Sequence, residues 1–323
     1  MEILPFFVCY KLCREHIVFK HIFEKSMIGN NFFQILVIQD WSEYKQQTAP
    51  MKYLFLIISI IFLILLGACK KDSGTNPDDQ IPVGYDLIWS DEFDYIGLPD
   101  ASKWSYDVGG HGWGNSEAQY YTDSRLKNSE VKDGHLYINA IKEDFEGKKY
   151  TSARLVTRAK GDWLYGRIEV NAKLPSGVGM WPAIWMLPTD WAYGGWPASG
   201  EIDIMENLGY IPNWIAATVQ TKSYNYVHGT HKNQITNVSD CYSAFHKYVL
   251  EWDASELRFY VDAKLYHTFK NEGTGIQVWP FDKRFHLLLN IAVGGTFGGA
   301  QGIDDNIFPR SMVIDYVRIY QKK

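Results

Sequence analysis

The sequence predicts an all-β protein built from two packed antiparallel sheets. Short strand-like runs recur along the chain, clusters of Gly, Pro, Asp and Asn separate them, and no βα alternation or helical run beyond two turns interrupts them. Such a pattern buries one face of each sheet against the other. The strand-like runs are Leu87–Ser90, His135–Ala140, Gly166–Ala172, Ala183–Met186, Glu201–Glu206 and Ile215–Gln220. They continue with His246–Trp252, Glu256–Val261, Lys264–Phe269, Phe285–Ala292 and Met312–Gln321. The pair L-R-F-Y-V and L-Y-H-T-F, joined by D-A-K, reads as a hairpin.

The chain divides into four parts. From Met51 it reads M-K-Y-L-F-L-I-I-S-I-I-F-L-I-L-L-G-A-C: a methionine, one Lys, an apolar run and a small-residue cleavage site. That is the pattern of a secretory signal over residues 51–68. The apolar run is shorter than the roughly 20 residues that span a bilayer. L-G-A-C, ending at Cys69, resembles a bacterial lipobox, which implies lipidation of Cys69. A signal is read at an N-terminus, so residues 1–50 are expected to be an upstream extension foreign to the natural protein. Residues 69–84, beginning K-K-D-S-G-T-N-P-D-D-Q after Cys69, are polar and suit a tether. Residues 85–323 are long enough for one large sandwich domain.

Composition narrows the function. The net charge is −5, and leaving out residues 1–68 makes it −6, with no basic stripe. Nucleic acid is therefore not an expected partner. Of four cysteines, only Cys69 and Cys241 follow residue 68, so no internal disulfide is expected. No Cys or His spacing suggests zinc. Aromatic residues make up 15 % of the chain, which suits a sugar-facing surface as well as a sandwich core. A monomer is expected.

The most informative segment is G-E-I-D-I-M-E-N-L-G, Gly200 to Gly209. Ile202 and Ile204 alternate with carboxylates, the period of a strand, so Glu201 and Asp203 share a face. Glu206 falls on the opposite face of a regular strand. One extra residue near Met205, a β-bulge, returns it. The two glutamates then stand roughly 6–7 Å apart at the backbone. Their side chains can close to about 5 Å, the separation of a retaining glycosidase pair. The alternative is a solvated strand face. Against it stands the preceding W-P-A-I-W-M-L-P, then Trp191, Tyr193 and G-G-W-P-A-S-G, a run of aromatics suited to pyranose rings. Trp181, Trp185 and Trp196 are the candidate stacking platforms. Trp181 and Trp185 are four apart on one strand face, so both lie in the cleft or both outside it.

These segments resemble the signature of glycoside hydrolase family 16, in its laminarinase-like branch. Further blocks in the family's order are L-I-W-S-D-E-F-D, G-W-G-N-S-E-A-Q-Y-Y-T, Y-T-S-A-R-L, Y-G-R-I-E-V, W-P-F-D-K-R-F-H-L-L-L-N-I-A-V-G-G and I-D-Y-V-R-I-Y-Q. The resemblance implies a β-jelly roll with a concave cleft for an extended polysaccharide. It implies Glu201 as nucleophile, Glu206 as general acid/base and Asp203 as their assistant, with no cofactor in catalysis. Asn115, Glu117 and Arg154 match groups that contact sugar hydroxyls. Asp315 matches a carboxylate that, with backbone oxygens, holds a structural calcium, and Glu92 and Gly134 are its expected partners. E-x-D-x-x-E resembles the motif of the laminarinase-like branch, and that resemblance implies an endo-acting enzyme on β-1,3- or mixed-linkage β-1,3/1,4-glucan. A galactan hydrolase of the agar or carrageenan type and a surface glycan-binding protein are the alternatives. An outer-membrane lipoprotein facing the cell surface, or else the periplasm, is the expected location.

One position departs from the family pattern. Relatives commonly show a His in the strand that reads A-A-T-V-Q-T here, and Gln220 stands in its place. Gln both donates and accepts a hydrogen bond but does not titrate near neutrality.

Overall fold

The structure is a computed structural model, and it describes residues 26–28, 31–33 and 81–323. The apolar run of 51–68, Cys69 and the tether up to residue 80 lie outside the described residues. The chain forms two compact units, residues 1–79 and 80–323. In the first, β1 (Ser26–Ile28) pairs antiparallel with β2 (Asn31–Phe33).

The second unit holds two sheets. The first runs, in spatial order, β15 (Lys232–Asn237), β14 (Trp214–Gln220), β13 (Glu201–Glu206), β12 (Met180–Pro188), β19 (Phe285–Val293), β9 (Arg154–Val156) and β4 (Ser105–Tyr106). A further strand, β10 (Asp162–Trp163), also pairs with β19. The second sheet runs β18 (Lys264–Lys270), β17 (Glu256–Val261), β16 (His246–Trp252), β11 (Gly166–Lys173), β20 (Arg310–Lys322), β7 (His135–Phe145), β8 (Lys148–Ser152) and β5 (Gln119–Tyr121). Here β3 (Tyr85–Asp91) also pairs with β20, and β6 (Ser129–Lys132) with β7. All pairings are antiparallel except β5 with β8.

One core lies between the sheets. Met180, Ile184 and Met186 of β12 and Leu287, Leu289, Ile291 and Val293 of β19 join it from the first sheet. Ile168, Val170, Leu250, Phe259, Val317 and Ile319 join it from the second. The alternation of strand side chains then leaves Trp181 and Trp185 on the outer face of β12, and His286, Leu288 and Asn290 on that of β19. All eleven expected strands are present, and the hairpin turns through Asp262 and Ala263. Seven further strands in this unit carry too little alternation to stand out. Edge strand β15, K-N-Q-I-T-N, has no apolar face at all.

Candidate active site

The bulge lies within β13. On its β14 side Asp203 pairs with Thr218 and Glu206 with Ala216, so Ile204 and Met205 together oppose a single residue. On the β12 side Asp203 pairs with Trp185 and Met205 with Ile184, leaving Ile204 as the extra residue. Both apolar side chains enter the core. Their combined burial fixes the register, because shifting it by one residue would push three carboxylates inward. Glu201, Asp203 and Glu206 thereby share the outer face.

Each carboxylate has its own surroundings. Glu201 accepts from the Gln220 amide at 3.0 Å, and the Trp196 indole also donates to it. Glu206 accepts from the Trp181 indole at 3.0 Å and from the Thr218 hydroxyl at 3.3 Å. Asp203 is 4 % exposed, and its Oδ2 has no protein partner. Burial, then the charge of Glu206, pushes Glu201 up to about 7, against the pull of Trp196, Arg154 and Gln220. Burial, then the charges of Glu201 and Glu206, raises Asp203 well above the carboxylate range. Burial also raises Glu206, opposed by the Trp181 and Thr218 hydrogen bonds. Burial thus raises all three carboxyls, and unlike hydrogen-bond donors give Glu201 and Glu206 different surroundings.

Trp181 and Trp185 both lie on this face, as their four-residue spacing on one strand requires. Trp185 donates to Asn290 at 2.7 Å, and its ring packs 4.6 Å from the Arg154 guanidinium. Arg154 is held from the other side by Trp113, also at 4.6 Å, and lies 3.3 Å from an Asp107 oxygen. Glu117 is 5 % exposed. It accepts from Asn115 at 3.3 Å, Gln119 at 2.6 Å and Tyr121 at 3.1 Å. Tyr121 in turn accepts from Asn290 at 3.0 Å. The geometry thus ties Asn115, Glu117, Tyr121, Asn290 and Trp185 into one hydrogen-bonded chain. Sequence reasoning missed Gln119, Tyr121 and Asn290. The spacing E-x-Q-x-Y on one strand face and a lone Asn in F-H-L-L-L-N-I-A-V were the available signals. It also missed Phe297, whose ring meets Trp181 at 5.5 Å and Trp214 at 6.0 Å.

The expected calcium residues come together by register. β7 pairs with β20 as far as Ile314, and β3 takes over from Val317. Asp315 sits in the gap, with Glu92 just after β3 and Gly134 just before β7. Both Glu92 carboxylate oxygens accept from Arg318, which leaves only its backbone carbonyl for a cation. Asp315 accepts from Asn171 at 2.9 Å and lies 3.6 Å from His135. Among the described residues no cluster of three or more His, Cys, Asp or Glu side chains could hold a metal. One carboxylate with backbone oxygens is a donor set that suits a hard cation.

At the far end of β19 on the same face, His286 is fully buried. Its Nδ1 lies 3.2 Å from the Thr189 hydroxyl, and its Nε2 has no protein partner. Burial, then the Arg158 charge, lowers its pKa to about 4. An unfolded His titrates near 6.5, so in acid the unfolded chain takes up this proton first. Its stabilising contribution is complete above about pH 6.5 and is lost as pH falls toward 4, a change of about 3 kcal/mol. Denaturant unfolding of the protein and of His286→Gln at pH 7 and pH 4.5 checks this. The stability gap between the two should narrow in acid. An equal gap at both values would contradict it.

Comparison with known proteins agrees with this geometry. The sequence model of "Glycosyl hydrolases family 16" matches residues 116–318. A β-glucanase of Rhodothermus marinus is 50 % identical over 274 residues, covering 83 % of this chain and 93 % of that protein. A glucan endo-1,3-β-glucosidase of Cryptopygus antarcticus is 37 % identical, covering 72 % and 90 %. The crystal structure of the Rhodothermus marinus laminarinase superposes with a TM-score of 0.73 at 53 % identity, over 74 % of this chain and 98 % of that one. The bulged carboxylate strand, the aromatic face around it and these matches together place the chain in glycoside hydrolase family 16.

Proposed function

We propose that this protein is an endo-acting, retaining glycoside hydrolase that cleaves β-1,3- or mixed-linkage β-1,3/1,4-glucan. The observation that carries the reading is the bulge that sets Glu201 and Glu206 on one face with different hydrogen-bond donors. The relatives' names, β-glucanase, laminarinase and glucan endo-1,3-β-glucosidase, support glucan as substrate and attack within the chain.

In the proposed reaction, a Glu201 oxygen attacks the anomeric carbon while protonated Glu206 gives its proton to the departing glycosidic oxygen. The C–O bond to the leaving sugar breaks and a glycosyl ester forms on Glu201. With Glu201 neutralised, Glu206 is left as a carboxylate. It takes a proton from water, whose oxygen attacks the anomeric carbon and frees Glu201. Two opposite-face displacements return the β configuration. Asp203, neutral beside Glu201, assists by hydrogen bonding. Trp181, Trp185 and Trp196 stack on pyranose faces, while Asn115 and Arg154 meet hydroxyls, with Glu117 supporting Asn115. The reaction needs no cofactor. Reducing-end release with product sizing on laminarin and on mixed-linkage β-glucan, beside agarose, tests the reading. Oligosaccharides from a glucan support it, and release from agarose alone would replace it with the galactan alternative.

Asp315, with the backbone carbonyls of Glu92 and Gly134, would hold a calcium that stabilises the fold. A ligand at about 100 times its Kd adds about 2.7 kcal/mol. Calcium should therefore raise the melting temperature of the protein and leave that of Asp315→Ala unchanged. Equal shifts in both would remove the site. We propose further that Cys69 is lipidated and tethers the enzyme to an outer membrane facing the cell surface, where a polymer too large to enter is first cut. The lipobox-like L-G-A-C and the polar tether support this. Protease treatment of intact cells should remove the enzyme, and full protection would refute surface display.

A further inference from the structure

Gln220 directly opposes Glu201 across β13 and β14 and is 8 % exposed. Its amide has two chemically distinct ends, and the neighbours fix which end faces which. The Tyr226 N–H only donates, and it lies 3.2 Å from the Gln220 Oε1. The Gln220 Nε2 is thereby aimed at Glu201, at 3.0 Å. The support behind Tyr226 is itself built. Tyr226 opens a short 3-10 turn, Tyr226–His228, whose N-cap Asn225 is 1 % exposed. The Asn225 amide donates to the Thr221 and Lys222 carbonyls, and its Oδ1 accepts from the His228 N–H at 3.1 Å. The turn closes on Gly229 at φ 66°, a left-handed position natural to glycine. The Tyr226 ring also lies 5.2 Å from the ring of Trp196, the other donor to Glu201. Both hydrogen bonds to Glu201 thus rest on one turn.

We propose that Gln220 is a positioning residue for the nucleophile: a side chain locked by the Tyr226 turn that gives Glu201 a hydrogen bond of fixed direction, present at every working pH. The proposal rests on the reading of Glu201 as nucleophile. It assigns the 221–229 segment a role that a titratable side chain at this position would make dependent on protonation. The groups facing Glu201 are Trp196, Gln220 from β14, Asp203 and Glu206 from β13, and Arg154 from β9. Of the charged groups among them only Arg154 is a cation, so loss of the Gln220 donor leaves Glu201 harder to ionise.

The test compares the protein with Gln220→Ala and Gln220→Glu. The second keeps the side-chain shape and the acceptor for Tyr226 but replaces the donor with a carboxyl. On laminarin, Gln220→Ala should lower kcat tenfold to a hundredfold with KM changed less than threefold. Its acid limb should move up by about one pH unit, the scale of one lost hydrogen bond to a charged group. Gln220→Glu should move the limb further, because it adds a like charge. A rise in KM with an unmoved acid limb in both variants would overturn the proposal and make Gln220 a sugar ligand. Titration of the Glu201 carboxyl by 13C NMR in parent and Gln220→Ala, which removes the donor without adding charge, needs no turnover. An upward shift there supports the hydrogen bond even if the parent cleaves no glucan, a result that would defeat only the proposed substrate. An unshifted titration overturns the proposal outright.

Discussion

Glu201→Gln should cut glucan hydrolysis by about 10⁴-fold or more in kcat while leaving the protein folded and able to bind oligosaccharide. The replacement is nearly isosteric. Its amide oxygen still accepts from Gln220 and Trp196, the two donors that meet the native carboxylate. What it lacks is the charge and nucleophilicity needed to form the glycosyl ester. Asp203 and Glu206 also lose a repelling neighbour, so the variant should melt at or above the temperature of the parent. Rates of parent and variant on laminarin, with thermal melts alongside, check both statements. A fall of less than tenfold would remove Glu201 from the nucleophile's role.

Glu206→Gln should separate the two halves of the reaction. On polymer, loss of the proton donor should cost about 10²- to 10⁴-fold. On an aryl glucoside oligomer with a good leaving group, ester formation needs no proton, so that step should survive and the ester should accumulate. Added azide, which attacks without a general base, should then raise turnover and yield a β-glycosyl azide. The pH profile carries a second signature. Glu206 is the largest charge contribution raising Glu201, so its neutralisation should lower the Glu201 pKa. Activity requires ionised Glu201, lost as pH falls through that pKa, so the acid limb should move to lower pH in Glu206→Gln. Equal losses on both substrates, or an unmoved limb, would contradict the assignment.

How much of this was legible depended on side-chain periodicity. The buried strands spoke clearly because one face of each is apolar: β13 announced its bulge through the spacing of Glu201, Asp203 and Glu206 alone. The bulge is readable because a regular strand would bury Glu206, which the spacing made implausible on energetic grounds. The strands that escaped notice were those held by neighbours rather than by their own pattern. β6 and β7 turn through Asp133 and Gly134, both at positive φ, as a two-residue hairpin of the type that D-G signals. Glu146 and Gly147 do the same between β7 and β8. Either dipeptide could have marked the missing strands.

The site divides along the same line. Glu201 and Glu206 were legible from their spacing along β13, and Trp181 and Trp185 from theirs along β12. The chain from Asn115 through Glu117, Tyr121 and Asn290 to Trp185 was not, because it joins β5, β12 and β19 across long stretches of sequence. Phe297 was hidden for another reason. It sits in the one-turn, glycine-rich helix Gly295–Gly298, too short to show periodicity, and only the fold brings it beside Trp181. Gln220 was visible as a departure, but its partner Tyr226 belongs to a turn whose position depends on Asn225.

The measurement that bears most directly on the central claim is the anomeric configuration of the first product. Purified protein is mixed with laminarin and followed by 1H NMR from the first minute, before mutarotation equilibrates the anomers. Two displacements through a Glu201 ester require the new reducing end to appear as the β anomer, with α growing later. Initial appearance of the α anomer would mean a single displacement by water, and it would contradict the account of the bulged carboxylate pair.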